Sequence, residues 1–278
     1  MILGGRAHDF GKLPLEELAS KVTKQGYSYI QLALDKAIDR VDCSLGKLSP
    51  GMGNYIRDSF KRKNVQIVVL GCYINPIHPN LDERRKHLER FKEHIRYARD
   101  FGCNIVGTET GSLKVGGSCE YDNESEVSFN TFIKSLLELV EEAEKFGVIV
   151  AIEGGKNEVV TTPKRMKKVL DLINSNNLQV IYDPTNYLSA SNFKNQDEII
   201  KEAFDLFADR MVIMHAKDFI VKDGKISTVP AGNGGLNYKL IFKLLKEKKP
   251  FINIILEDIK EVHMDGSMKF ISEVYNMV

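Results

Sequence analysis

The chain has no cysteine pair at CxxC spacing, no apolar run approaching a membrane span, and almost no net charge. Each absence excludes something. Cys43, Cys72, Cys103 and Cys119 read as free thiols of a reducing compartment rather than as a zinc ribbon or a disulfide framework. A spanning helix needs about 18 or more consecutive apolar residues, so no membrane partner is expected. Thirty-nine basic residues against 38 acidic ones leave +1, which gives nucleic acid no global field to follow. The opening Met1-Ile2-Leu3-Gly4-Gly5-Arg6 turns polar too soon for a signal peptide, and a cytoplasmic protein is expected. No Pro-, Gly- or Ser-rich linker and no low-complexity segment divides the 278 residues. One domain, 1–278, with a substantial core is therefore expected.

A repeated junction organises what is there. Helical patterns end at Gln25-Gly26, Phe101-Gly102 and Phe146-Gly147, and an apolar run begins within a few residues each time. Glycine accepts the left-handed conformation that closes a helix, so each junction reads as a helix stop feeding a strand. Strands are predicted at Ile2–Gly5, Tyr29–Leu32, Gln66–Leu70, Ile105–Thr108, Val148–Glu153, Gln179–Asp183, Met211–His215 and Ile252–Glu257. Amphipathic helices fall between them. One carries Leu88, Phe91, Ile95 and Ala98 on a single stripe after an apparent capping box, Asn80 with Glu83. Another, from about Glu124 to Phe146, turns Phe129, Phe132, Leu136, Val140 and Ala143 to one side. Strands alternating with helices eight times predict an α/β fold, a single closed (β/α)8 TIM barrel. A dinucleotide fold would want GxGxxG after its first strand, and Gly4-Gly5 does not supply it.

Four of the apolar runs end in one metal-competent residue: Ile149-Val150-Ala151-Ile152-Glu153, Val180-Ile181-Tyr182-Asp183, Met211-Val212-Ile213-Met214-His215 and Ile254-Ile255-Leu256-Glu257. From Glu153 the steps are 30 residues to Asp183, 32 to His215 and 42 to Glu257, each with room for a helix and its loops. In a strand–helix barrel the carboxyl ends of the strands share one mouth, where active sites lie. Each residue also has a plainer reading: a salt-bridged carboxylate, an Asp-Pro turn, a core histidine. Together they predict a site for one divalent ion. Three carboxylates and an imidazole are a hard oxygen–nitrogen set, suited to manganese first, with magnesium, cobalt or zinc as alternatives.

These residues carry a resemblance that spans essentially the whole chain. Ile152-Glu153, Asp183-Pro184-Thr185-Asn186, His215-Ala216-Lys217-Asp218 and Leu256-Glu257 resemble the xylose-isomerase-like barrel superfamily of sugar isomerases, epimerases and dehydratases. The resemblance implies that Glu153, Asp183, His215 and Glu257 bind the metal and that Glu153 and Glu257 are the proton-transferring acid/base pair. Chemistry agrees: a divalent ion stabilises the enediolate formed when the carbon beside a carbonyl loses its proton, and bases on both faces permit epimerisation. Asn186 stands where many relatives carry a substrate-contacting histidine, and Glu158 corresponds to a substrate-binding glutamate of the ketose epimerases. Lys217 at the mouth suits a carboxylate, a phosphate or an alkoxide. Lys217, Asn186 and Glu158 are thus the expected substrate-binding residues.

Arg6, His8, Asn75, His78 and Glu109 are further mouth candidates, whereas His87 and His94 are expected at the surface and His263 in a loop. The run Ala231-Gly232-Asn233-Gly234-Gly235 reads as a phosphate-cradling loop or a lid. The expected activity is isomerisation or epimerisation of a small sugar or polyol, with dehydration of an inosose-like polyol ketone as the alternative. The superfamily also includes apurinic-site endonucleases, but those use extra histidines where this chain has Cys72-Tyr73, Glu109 and Asn186. Family barrels often pair, which allows a homodimer or homotetramer.

Overall fold

The structure, a computed structural model, describes residues 1–114 and 122–278; Cys119 lies outside them. Eight parallel strands close into a barrel in the order β1-β10-β7-β6-β5-β4-β3-β2. They are β1 (Ile2–Arg6), β2 (Tyr29–Leu32), β3 (Gln66–Gly71), β4 (Ile105–Glu109), β5 (Ile149–Glu153), β6 (Leu178–Tyr182), β7 (Met211–Ala216) and β10 (Asn253–Leu256). The closing seam pairs Ile2 with Asn253 and Gly5 with Leu256. Each strand lies within about two residues of its predicted bounds because a strand covered on both faces is apolar throughout. Asp183 and Glu257 sit one residue past their strands, in the loops that form the mouth.

Helices α1 (Leu15–Lys24), α3 (Pro50–Lys61), α4 (Leu81–Tyr97), α5 (Glu126–Phe146), α6 (Pro163–Leu172), α7 (Gln196–Phe207), α8 (Tyr238–Lys248) and α9 (Glu261–Met277) surround the barrel, with a single turn, α2 (Leu34–Ala37), after β2. Their starts are written in the sequence: Ser49, Ser125 and Thr162 each accept from a backbone N–H of the first turn, and Pro50 and Pro163 open α3 and α6. At Gly147, φ is +59°, the left-handed stop expected there. Phe91, Phe129, Phe132, Phe204, Phe207 and Phe242 are fully buried in the core. Truncating any of them to alanine would cost about 3–5 kcal/mol.

Three expectations need correction. The capping box at Asn80 is half formed. Asn80 accepts from the Asp82 and Glu83 amides at 2.9 and 3.1 Å, but the Glu83 carboxylate turns to Lys86. His94 is not at the surface: it is fully buried, and one turn of its own helix satisfies one ring nitrogen, Nδ1, through the Arg90 carbonyl at 2.8 Å. His87 is half-buried and its Nδ1 accepts from the Asn75 amide. Beyond the eightfold repeat, β8 (Asp218–Lys222) and β9 (Lys225–Val229) form an antiparallel hairpin after β7. Asp223 and Gly224 turn it at φ +49° and +70°, as a tight two-residue hairpin requires.

Candidate metal centre

Glu153, Asp183, His215 and Glu257, from the ends of β5, β6, β7 and β10, are all buried and offer one ligand atom each within 4.8 Å of one another. The parallel register explains the meeting. Ile255 pairs with His215 across β10 and β7, and Glu153 pairs with Ile181 across β5 and β6, so all four positions reach one rim. His215 is the hub. Its Nδ1 lies 3.1 Å from Glu153 Oε1 and 3.0 Å from Glu257 Oε2, while its Nε2 lies 2.8 Å from Gln31 Oε1.

Lys217 is part of the same cluster rather than a solvated loop charge. It is buried, with Nζ 2.8 Å from Asp183 Oδ2 and bonded to Glu257 Oε1. Arg6 braces the other side: Nη1 donates to Glu257 Oε2 at 3.2 Å, and Nη2 reaches Asp9 and Asp258 at 3.0 and 2.6 Å. Asn186 donates to Glu153 Oε1 at 2.9 Å. Glu158 stands apart from the cluster, its Oε2 accepting from the Thr110 amide and hydroxyl at 2.6 and 2.7 Å. Arg6, Glu153, Glu158, Asn186, Lys217 and Glu257 all line one cavity of about 260 Å³. A broader cleft beside it shares Glu109, Lys156, Asn157 and Glu158.

Charge in this cluster is distributed unequally. Burial raises the Glu257 carboxyl, but Lys217, His215 and Arg6 outweigh it and hold the group well below the usual carboxylate range. Burial pushes the Asp183 carboxyl up to about 8, against the pull of Lys217 and with the repulsion of Glu257 and Glu153. Burial lowers His215, yet Glu153 and Glu257 reverse this and raise it to about 10. Burial, then the neighbouring Glu109, pushes Glu158 up to about 8. Burial and the repulsion of Glu257 and Glu153 thus oppose the charge of Asp183, whereas Lys217, His215 and Arg6 favour that of Glu257.

A divalent ion fits this arrangement. Asp183 Oδ2 is buried and, among the described residues, meets the Lys217 ammonium at 2.8 Å, so an ion would supply charge to an oxygen with a single cationic neighbour. Opposite ligands of an octahedral ion stand about 4.2 Å apart, twice a typical ~2.1 Å bond, so a spread within 4.8 Å needs little contraction. The donors are hard oxygens and one nitrogen, with no thiolate.

The remaining candidates divide. Arg6 and Glu109 line the cavity, and Asn75 lines the cleft, where its side chain braces Ser112. His8 packs edge-on against Tyr73, and burial lowers it to about 4. His78 is half-buried beside His87 at the start of α4, and His263 is exposed on α9. In the glycine run, the amides of Gly232 and Leu236 donate to Asp218 at 3.2 and 2.8 Å, so an internal carboxylate fills the place of an outside anion. Sequence reasoning missed Gln31 and Tyr73. Gln31 did leave a signal, one polar residue inside the apolar run Tyr29-Ile30-Gln31-Leu32.

A family model described as xylose isomerase-like TIM barrel matches residues 19–273. A D-tagatose 3-epimerase-like protein superposes with a TM-score of 0.78 at 20% identity, covering 100% of this chain and 98% of its own. A xylose isomerase-like TIM barrel protein from Mycobacterium smegmatis, in complex with magnesium, gives 0.76 at 15% identity, covering 99% and 97%. The 3-keto-D-glucoside 4-epimerase of E. coli gives 0.74 at 14% identity, covering 98% and 99%. These likenesses establish the shared fold. No curated protein matches by sequence.

Proposed function

The chain belongs to the xylose isomerase-like TIM barrel family, and on that footing we propose that it is a divalent-metal-dependent isomerase or epimerase of a small sugar or polyol. The observation that carries this reading is the convergence of Glu153 and Glu257 on one imidazole nitrogen, at 3.1 and 3.0 Å, from β5 and the loop after β10. Two carboxylates brought to one point from separate strands can reach a bound carbon from different sides.

In this reading Glu153, Asp183, His215 and Glu257 hold the ion, with manganese the proposed metal. When bound, such an ion would polarise a substrate carbonyl and offset the negative charge that develops on its oxygen. The chain's own residues do the rest. Glu257, kept ionised by Lys217 and Arg6, takes the proton from the carbon beside the carbonyl. Glu153, oriented by Asn186, returns a proton from the other side. Lys217, Asn186 and Glu158 hold substrate oxygens at the cavity wall.

The wall also bears on substrate charge. Among the described residues, five carboxylates, Glu109, Glu153, Glu158, Glu257 and Asp258, line the cavity with three cations, Arg6, Lys156 and Lys217. Arg6 and Lys217 are already ion-paired inside the protein. An uncharged sugar with several hydroxyl donors suits this lining better than a phosphate ester. We take residues 1–278 as one domain acting in the cytoplasm.

The test separates binding from turnover in Glu257→Gln. The variant should still bind a ketose substrate while turnover falls about 10²–10⁴-fold, the usual worth of a positioned acid or base. Unchanged turnover would remove Glu257 from the base role.

A further inference from the structure

We propose that Gln31 is a positioning residue for the metal ligand His215: its side-chain carbonyl holds the proton on Nε2 and so reserves Nδ1 for the ion. The proposal rests on the metal reading given above. Gln31 lies on β2, opposite the four ligand-bearing strands, and is buried. A buried amide inside a barrel must find partners for both ends, since an unpaired one gives up its hydration for nothing in return. It finds them in two directions. Gln31 Oε1 lies 2.8 Å from His215 Nε2, and Gln31 Nε2 donates to the Tyr73 hydroxyl at 2.8 Å.

The direction of this chain follows from donor and acceptor chemistry. An amide oxygen can only accept, so His215 Nε2 must carry the hydrogen wherever that bond exists. The other ring nitrogen, Nδ1, faces Glu153 and Glu257 at 3.1 and 3.0 Å, the side on which Asp183 also lies. A ring held this way offers its lone pair to an ion among the carboxylates and cannot offer it elsewhere. Tyr73 fixes the amide in turn. Were the amide to flip, its NH2 would face the His215 N–H, and the bond to Nε2 would be lost. Metal-binding histidines commonly use such an outer partner, and losing it typically weakens binding about 10–100-fold.

The experiment uses the full-length protein, stripped of metal and titrated with Mn²⁺ alone by calorimetry. Gln31→Met keeps the side-chain length but removes the acceptor, and it should weaken Mn²⁺ binding about 10–100-fold. Gln31→Glu restores an acceptor in the same place and should return binding to within about threefold of the parent, a recovery that a merely space-filling role would not produce. Proton NMR of the Zn²⁺-loaded parent should show a slowly exchanging imidazole Nε2–H that is lost in Gln31→Met. If Gln31→Met fails to fold, Tyr73→Phe replaces it, since it frees the amide without emptying the core; it should weaken binding in the same direction. Parent-like Mn²⁺ affinity in the variant used, or a Gln31→Glu protein as weak as Gln31→Met, would overturn the proposal while leaving the metal reading intact. A parent protein that binds neither Mn²⁺, Mg²⁺ nor Zn²⁺ would remove both.

Discussion

Lys217 Nζ stands 2.8 Å from Asp183 Oδ2, an ion pair buried at the centre of the barrel mouth. The same ammonium bonds Glu257, so one lysine serves two of the four carboxylate and imidazole groups that converge there. Without a metal, Lys217 is the main cation facing Asp183.

Removing it should therefore harm the metal-free protein most. Lys217→Met leaves two buried carboxylates short of a partner, and breaking a buried pair on one side costs about 3–5 kcal/mol. Urea unfolding of the metal-free variant should show a midpoint reduced accordingly, and Mn²⁺ should recover part of the loss by supplying charge to the same oxygens. An unchanged midpoint would mean the pair carries no weight in the fold.

Metal uptake should release protons. His215 is raised to about 10, so at neutral pH it carries a proton on each ring nitrogen, and a bound ion must displace the one on Nδ1. Affinity for Mn²⁺ should rise as pH rises from about 6 to 8. Calorimetry in buffers of different ionisation enthalpy counts the protons directly, and a heat independent of the buffer would contradict the expectation.

His94 should make stability sensitive to acid. Burial lowers it to about 4 from an ordinary 6.5, with the Arg90 carbonyl pulling the other way. Below 6.5 the unfolded chain takes up the proton while the folded ring stays neutral. Its contribution is therefore complete above about 6.5 and is lost as pH falls towards 4. The difference amounts to about 3 kcal/mol at most. Comparing the pH dependence of unfolding in the parent and in His94→Gln isolates this ring from His8, which is also lowered but remains in both. Parallel curves between pH 4 and 6.5 would refute it.

What could be read from the sequence follows from how the information is stored. A strand covered on both faces writes itself as a continuous apolar run, so all eight barrel strands and the four residues capping the last four were legible locally. Helix α3, begun by Ser49-Pro50, and α7 are amphipathic too, yet neither is among the helices described from the sequence above. The Asp223-Gly224 turn was a hairpin signal overlooked because the eightfold repeat already accounted for the region. Partnerships were harder. Gln31 and His215 are 184 positions apart, and only barrel closure and register bring them together. The glycine run looked open to an anion because nothing local shows that Asp218 folds back to fill it. The burial of His94 is hidden in the sequence because the partner of its Nδ1 is a backbone carbonyl, which no residue type announces.

The most direct measurement of the central claim is proton exchange at carbon. Candidate ketoses are incubated in deuterated water with the Mn²⁺-loaded protein, and deuterium is sought at the carbon beside the carbonyl. Incorporation with the parent, falling at least about a hundredfold in both Glu153→Gln and Glu257→Gln, is the predicted result. No incorporation into any ketose, polyol ketone or sugar acid, by a protein that binds the metal, would contradict it.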